Sequence, residues 1–146
     1  MPPSAVIVGA GIGGLTAALA LSARGSEVTL VERRTGFSEA GAGIQLSPNA
    51  SRVLIDLGLG HALRRAASAP DRVVIRDTAG ARVIGEVALG GFMQRRFGAP
   101  YYVVHRAGLQ TLLLDAVRGR PGVRLLVGRD ATALTSAPDG AAVTIV

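Results

Sequence analysis

Three glycines near the start of the chain, Gly9, Gly11 and Gly14, have the G-x-G-x-x-G spacing of a phosphate-binding turn. They follow a short apolar run and precede a helical pattern, and Glu32 comes about 20 residues later, at the end of the next apolar run. In such a turn Gly9 allows the tight bend, Gly11 lets a diphosphate approach the backbone, and Gly14 lets helix and strand pack closely. This context indicates nucleotide-binding chemistry more strongly than the three glycines alone.

The helix after this turn has an N-terminus that can bind an anion. Its first backbone N–H groups, those of Ile12, Gly13 and Gly14, have no partner within the helix, and the helix end carries about half a positive charge. The carboxylate of Glu32 can accept hydrogen bonds from ribose hydroxyls and would repel a 2′-phosphate. We therefore expect the ADP part of FAD or NAD here, and not NADP. The structural alternative is that the glycines serve packing and that Glu32 merely ends a strand.

Arg33 and Arg34 follow Glu32 directly and have two equally supported interpretations. They line the adenosine edge of the nucleotide, or they lie in solvent. All 16 basic residues are arginine and the net charge is +6. Because pairs such as Arg64–Arg65 and Arg95–Arg96 are scattered along the chain, the charge does not predict binding to nucleic acid.

Composition excludes several other kinds of site. The chain has 146 residues, which is room for one domain, and 49% of them are hydrophobic, which excludes intrinsic disorder. There is no cysteine and there are only two histidines, His61 and His105, so no metal site is expected. The long apolar stretch from Ala5 to Leu21 is interrupted by glycines and preceded by no basic residue, so we expect no signal peptide, no membrane span and a cytoplasmic protein.

The elements that would position these residues begin with a β-α-β unit over 4–34. It comprises a strand at Ala5–Val8, apolar on both faces as a central parallel strand should be, a helix to about Arg24 ended by Gly25, and a strand at Glu27–Val31. Such a crossover is right-handed. The pattern predicts an α/β fold.

The rest of the chain alternates helical and strand patterns. Ser47-Pro48 should cap and open a helix whose buried stripe is Val53, Leu54 and Leu57, and a second short helix should follow at Leu59–Ala67. Downstream, the pattern predicts a hairpin of Arg72–Arg76 with Ala81–Val87, followed by a strand at Tyr101–Val104. A helix at 106–118 should come next, and the residues on its apolar face are Leu109, Leu112, Leu113, Ala116 and Val117. The last predicted elements are a strand at Val123–Val127 and a hairpin of Ala131–Ser136 with Ala141–Val146 across Pro138-Asp139-Gly140.

Three segments together resemble a known family. The glycine turn with Ala18, Gly25 and Glu32-Arg33 is similar to the ADP-binding fingerprint of FAD enzymes of the glutathione-reductase type. Gly41–Ala50, with Leu57-Gly58-Leu59 after it, resembles the next segment of the single-component aromatic hydroxylases, such as salicylate, 3-hydroxybenzoate and 6-hydroxynicotinate hydroxylases. His105-Arg106, at the start of a helix, is similar to the arginine-led helix of that family.

The resemblance implies a Rossmann-like FAD-binding fold of the glutathione-reductase type, incomplete, with an antiparallel hairpin extension. It implies FAD contacts by the backbone at Gly43 and Ile44 and by Arg106, with an ordinary loop and a solvent-facing arginine as the alternatives. The hairpin and strands over about 71–104 would face the substrate, with packing in the core as an equally good alternative. In the intact enzyme NADPH or NADH would reduce the flavin, and O₂ would be used to hydroxylate a small aromatic substrate. The catalytic residues are not predicted, because most of the substrate pocket would lie in the part of such an enzyme that this chain does not cover.

The resemblance covers the N-terminal third of such an enzyme, so 1–146 is interpreted as the N-terminal part of an FAD-binding domain whose C-terminal remainder is absent. The chain ends inside a strand pattern, and we expect it to be inactive by itself. Two alternatives stay open. One is a part of an FAD-dependent dehydrogenase or oxidase that shares the fingerprint. The other is a non-catalytic nucleotide-binding module. Oligomeric state and the particular substrate are not predicted.

Overall fold

The computed structural model describes residues 3–37, 41–137 and 140–146. The chain divides into two compact units, one formed by 1–40 with 109–146 and the other by 41–108. In chain order the elements are β1 (Ser4–Val8), α1 (Ile12–Ser22), β2 (Glu27–Glu32), β3 (Gly43–Leu46), α2 (Pro48–Leu54), α3 (Gly60–Ala66), β4 (Ala67–Ser68), β5 (Arg72–Arg76), β6 (Val83–Ala88), α4 (Gly90–Phe97), β7 (Tyr102–His105), α5 (Arg106–Arg118), β8 (Val123–Val127), β9 (Ala131–Ala137) and β10 (Gly140–Ile145).

The first unit contains a three-stranded parallel sheet in the order β1-β2-β8. Helix α1 packs on this sheet, and its buried residues are Leu15, Ala18 and Leu19. Strand β2 lies in the centre, where Leu30 is fully buried. The predicted β-α-β unit and the α/β class are therefore confirmed.

The prediction that the first strand is central is wrong for the described residues. β1 pairs only with β2 there, and Val6 and Val8 on one of its faces are 45% and 61% exposed. An apolar run indicates a strand, but it does not tell how many strands pair with it. Among the described residues β1 is thus an edge strand, and one of its faces carries two exposed valines.

The first unit also contains an antiparallel hairpin of β9 and β10. This pairing was predicted from the sequence and is confirmed, while Pro138 and Asp139 of its predicted turn lie outside the described residues. Leu134 on β9 is 69% exposed.

The second unit contains an antiparallel sheet in the order β3-β7-β4 and the separate hairpin β5–β6. The hairpin was predicted from the sequence and is confirmed. Helices α2 and α3 are separated by a kinked turn at Ile55–Leu59, in which Gly58 has φ +86°. The buried apolar residues of this unit are Leu46, Leu54, Leu63, Leu89, Ala99, Tyr102 and Val104.

Helix α2 begins at Pro48 as predicted, but two details of the prediction are wrong. The buried face carries Pro48, Ser51 and Leu54, while Val53 is 46% exposed and Leu57 is half-buried. Ser51 turns inward because its hydroxyl donates a hydrogen bond to the carbonyl of Pro100. The Ser47 side chain makes no capping hydrogen bond; its hydroxyl bonds to the side chain of Asn49 instead.

Helix α4 was not predicted at all, because it begins with two glycines and has a largely exposed surface. Helix α5 has the predicted bounds, but its fully buried face differs from the predicted stripe. Gln110 and Leu114 are buried, whereas Leu112 and Ala116 are only half-buried. No helix in the described ranges has the length and apolar character needed to cross a membrane.

Candidate cofactor-binding site

The glycine turn between β1 and α1 has an open backbone. Gly9 has φ +98°, a conformation that favours glycine, and its N–H donates to the carbonyl of Val31 at 2.7 Å. A Cβ added to Gly11 would meet no atom within 4 Å, whereas a Cβ on Gly14 would overlap the carbonyl oxygen of Gly9. Gly14 thus lets the helix start against the turn, and Gly11 leaves a free surface above it.

Helix α1 presents unused donors at its N-terminus. Its first internal hydrogen bond runs from the N–H of Leu15 to the carbonyl of Gly11 at 2.9 Å. The N–H groups of Ile12, Gly13 and Gly14 precede that bond and are not used by the helix itself, and the N-cap residue Gly11 has no side chain to cover them. Together with the helix dipole, they form a site that can bind an anion.

The Glu32 carboxylate lies across from this turn. Its Oε2 accepts a hydrogen bond from the N–H of Ala10 at 2.8 Å, and its Oε1 accepts one from the N–H of Arg34 at 2.9 Å. Each carboxylate oxygen can accept more than one hydrogen bond, so both remain able to accept from a ligand hydroxyl. The carboxylate is therefore held in place by the backbone N–H groups of Ala10 and Arg34 and can still accept further hydrogen bonds.

The pKa of Glu32 is lowered from its ordinary value of 4.5. Partial burial raises this pKa, but the N–H groups of Arg34 and Ala10 and the charges of Arg34 and Arg33 lower it by more in total. Glu32 is consequently ionised at neutral pH, which favours hydroxyl donors and disfavours a second anion at the same place.

A cavity of about 350 Å³ opens beside Glu32 at the carboxyl ends of the parallel strands. Arg33 and Arg34 line it, although both residues are exposed. The described residues that line it are Val8, Gly9, Val31, Glu32, Arg33, Arg34, Arg129, Asp130 and Ala131. This position fits the rule that ligands of open α/β sheets bind outside the carboxyl ends of the strands.

Arg129 and Asp130 also line this cavity, but they were not predicted from the sequence. They follow β8, whose last residue Val127 pairs with Glu32, and the N–H of Arg129 donates to the Glu32 carbonyl at 3.1 Å. Their position directly after a third apolar strand could have indicated this role. The carboxyl ends of neighbouring parallel strands meet at one edge of the sheet, so the loops that follow them lie close together.

The remaining predicted contacts, Gly43, Ile44 and Arg106, lie in the second unit. Gly43 pairs with His105 in the β3–β7 ladder, and the N–H of Arg106 donates to the carbonyl of Ala42 at 3.0 Å. A Cβ on Gly43 would meet nothing within 4 Å. The local sheet thus places Gly43 beside the start of α5.

The glycine at position 41, where the segment that resembles the aromatic hydroxylases begins, has a packing reason within the second unit. A Cβ at this position would overlap the imidazole of His105, so the side chain of that histidine occupies the space.

The first unit therefore combines an open glycine turn, a helix N-terminus without a side-chain cap, and an acid held at the end of the second strand of a β-α-β unit. This combination is typical of α/β nucleotide-binding proteins of the ADP-binding type. Residues 3–146 match the family described as the FAD binding domain. The chain belongs to this family, and FAD is its cofactor.

Two similar proteins are a monooxygenase and a hydroxylase of hydroxybenzoates. The chain is 40% identical over 138 residues to the 3-amino-4-hydroxybenzoate 2-monooxygenase PtnB3 of Streptomyces platensis, covering 94% of this chain and 34% of the relative. It is 39% identical over 121 residues to the 3-hydroxybenzoate 6-hydroxylase of Polaromonas naphthalenivorans, covering 83% and 30%. The family resemblance inferred from the motifs is confirmed.

A similar solved structure is that of Klebsiella pneumoniae HpxO complexed with FAD and uric acid. Its TM-score is 0.80 at 30% identity, covering 97% of this chain and 34% of that one. The chain thus spans about a third of the length of the relatives it matches.

The described residues fit the ADP part of FAD. Gly9 and Gly11 leave the turn unobstructed, and Glu32 is ionised and can still accept hydrogen bonds. The acid and the turn are joined directly by the hydrogen bond from Ala10.

The packing of Gly14 predicts a difference between two alanine variants of α1. Gly14→Ala should lower the free energy of unfolding by about 1–3 kcal/mol, because its Cβ would overlap the backbone of Gly9. Gly13→Ala, where a Cβ meets nothing within 4 Å, should raise it by about 0.5–1 kcal/mol. Urea denaturation of the cofactor-free protein measures both, and equal stabilities would contradict the packing described above.

The lowered pKa of Glu32 predicts a particular loss of stability in acid. A carboxylate whose pKa is lower in the folded state stabilises the protein above its ordinary pKa of 4.5, and this contribution is lost as the pH falls through the folded-state value. The difference in unfolding free energy between wild type and Glu32→Gln should therefore be constant near neutral pH and shrink below 4.5.

Denaturation at a series of pH values measures this difference. Glu27→Gln removes the same charge from the exposed start of β2 and serves as the control. An acid profile of Glu32→Gln that is indistinguishable from wild type would show that the described hydrogen bonds do not stabilise the carboxylate.

Proposed function

We propose that this chain supplies the FAD site of an NAD(P)H-dependent flavin monooxygenase that hydroxylates a small aromatic molecule with O₂. The relatives PtnB3 and 3-hydroxybenzoate 6-hydroxylase, whose names state hydroxybenzoate substrates, support this assignment. A dehydrogenase or oxidase and a non-catalytic module are not favoured, because the reported relatives are monooxygenases. The finer fold assignment, an FAD-binding fold of the glutathione-reductase type, is part of the same proposal.

The observation that carries the proposal is the Glu32 carboxylate fixed across an unobstructed glycine turn. In this assignment the N–H groups of Ile12, Gly13 and Gly14 bind the diphosphate of FAD, and Glu32 accepts hydrogen bonds from the hydroxyls of the adenosine ribose. Because Glu32 is ionised, it would repel a nucleotide with a 2′-phosphate. NADPH, if it is the reductant, would then have to bind elsewhere.

The arginines have two different roles in this proposal. Arg33 and Arg34 would border the adenosine, where they line the cavity and also lower the pKa of Glu32. Arg106, at the start of α5, would make a charge-assisted hydrogen bond to a phosphate or ribose oxygen of FAD. Gly43 and Ile44 would present backbone to the flavin end of the cofactor, where Gly43 leaves space.

FAD, when bound, supplies the redox chemistry that lets NAD(P)H and O₂ act on the ring. The described residues of this chain bind and orient the cofactor, donate hydrogen bonds to its charged diphosphate, and select its nucleotide. We assign none of them as a catalytic residue, because their proposed role is to bind and orient the cofactor. The substrate-facing role of the segment 71–104 is part of the proposal, and its exposed hairpin residues Val73, Ile75 and Val87 suit an aromatic neighbour.

The site assignment predicts the loss of flavin in two variants. Glu32→Ala and Arg106→Ala should each weaken FAD binding by about tenfold or more, because each removes a hydrogen bond from a charged group. The flavin absorbance of the purified protein and a titration with FAD measure this loss. Glu27→Ala on the same strand and Arg118→Ala on the same helix are matched controls and should keep their flavin. Undiminished flavin content in both site variants would remove the assignment.

A further inference from the structure

Gln110 is a buried polar side chain with one satisfied and one unsatisfied end. It lies on α5 and is 5% exposed, and its Nε2 donates a hydrogen bond to the carbonyl of Ala10 at 3.2 Å. Because a carbonyl oxygen accepts only, this partner determines which end of the amide is the nitrogen. The side chain therefore reaches the glycine turn in a defined orientation.

The peptide groups of Ala10 are consequently held from two sides. Glu32 binds the N–H of Ala10, and Gln110 binds its carbonyl. In a trans peptide the carbonyl of one residue and the N–H of the next point in opposite directions, and no cis peptide occurs among the described residues. Because Gln110 holds the Ala10 carbonyl, the N–H of Gly11 points away from the Gln110 side chain. Gly11 has no Cβ that could cover this N–H group.

The other end of the amide has no partner. The Oε1 of Gln110 is buried and accepts no hydrogen bond from the described residues. Native proteins rarely leave a buried acceptor in this state unless a water or a ligand completes it. A cavity of about 70 Å³ adjoins this side chain, large enough for an ordered water or for a ligand hydroxyl. Its lining is Gly11, Glu32, Arg34, Gly36, Phe37 and Gln110.

We propose that Gln110 is a positioning residue for the diphosphate of the nucleotide, an inference that rests on the proposed FAD site. Its Nε2 holds the Ala10 carbonyl inward, which prevents that carbonyl from facing the anion and directs the Gly11 N–H toward it. Its Oε1 accepts a hydrogen bond from a hydroxyl in the small cavity, belonging to an ordered water or to the ribose. The residue acts through the turn rather than by touching the reacting part of the cofactor.

The proposal predicts a larger loss for ADP than for adenosine. Gln110→Met, which keeps the volume and removes both hydrogen bonds, should weaken ADP binding about tenfold. Adenosine binding should change by less than about twofold if water supplies the hydroxyl, and should weaken by clearly less than ADP binding if the ribose supplies it. Gln110→Glu should weaken ADP binding at least as much, because an ionised carboxylate cannot donate to the Ala10 carbonyl. Gln94→Met, an exposed glutamine on α4, is the control and should bind both ligands like wild type.

Calorimetric titration of the purified protein with ADP and with adenosine gives both affinities, and thermal unfolding of each variant verifies that it is folded. Repeating the ADP titration with 2′,3′-dideoxy-ADP identifies the hydroxyl. If the ribose supplies it, the penalty of Gln110→Met shrinks for the dideoxy ligand, and if water supplies it, the penalty is unchanged.

Two results would overturn the inference. One is an ADP affinity within twofold of wild type in both Gln110 variants. The other is an equal loss for ADP and adenosine, which is what a purely structural role would produce. If the proposed FAD site itself were wrong, the titrations would give a different result, because the wild-type protein would then bind neither ADP nor FAD.

Discussion

The hydrogen bond from the Ala10 N–H to the Glu32 carboxylate is the contact on which the site depends. It joins the glycine turn after β1 to the end of β2, so the proposed place for a diphosphate and the proposed place for a ribose are fixed relative to each other. The same contact helps to keep Glu32 ionised, together with the N–H of Arg34 and the neighbouring arginines. In the proposed FAD site this ionised acid would accept hydroxyls and reject a 2′-phosphate, so one geometry would serve both affinity and selectivity.

The glycines of the turn differ in what requires them. Gly9 has a backbone conformation that other residues rarely adopt, and Gly14 has the Gly9 carbonyl where its Cβ would be. Gly11 meets neither constraint, since a Cβ there would contact nothing. Its lack of a side chain has no reason within the described chain, and space left for a ligand is the explanation that fits. Within these six residues, Gly9 and Gly14 are thus required by the fold, whereas Gly11 is explained by ligand binding.

Local patterns were enough to predict much of this arrangement. The β-α-β unit and the bounds of α5 follow from hydrophobic spacing and glycine positions, and the acid follows from its distance along the chain. Features that depend on pairing in three dimensions were not predictable in the same way. The edge position of β1 and the inward turn of Ser51 depend on partners far away in sequence. Arg129 and Asp130 join the cavity only because β8 pairs with β2. The cofactor-binding roles of all predicted site residues, including those of Gly43, Ile44 and Arg106 toward the flavin, stay predictions.

A crystal structure of the protein bound to ADP would show directly whether the glycine turn binds the diphosphate and Glu32 the ribose. The arrangement we expect has diphosphate oxygens within hydrogen-bonding distance of the N–H groups of Ile12, Gly13 and Gly14, and a ribose hydroxyl on the Glu32 carboxylate while the Ala10 contact is kept. A nucleotide bound away from this turn, or a Glu32 side chain turned away from both Ala10 and the ribose, would contradict it.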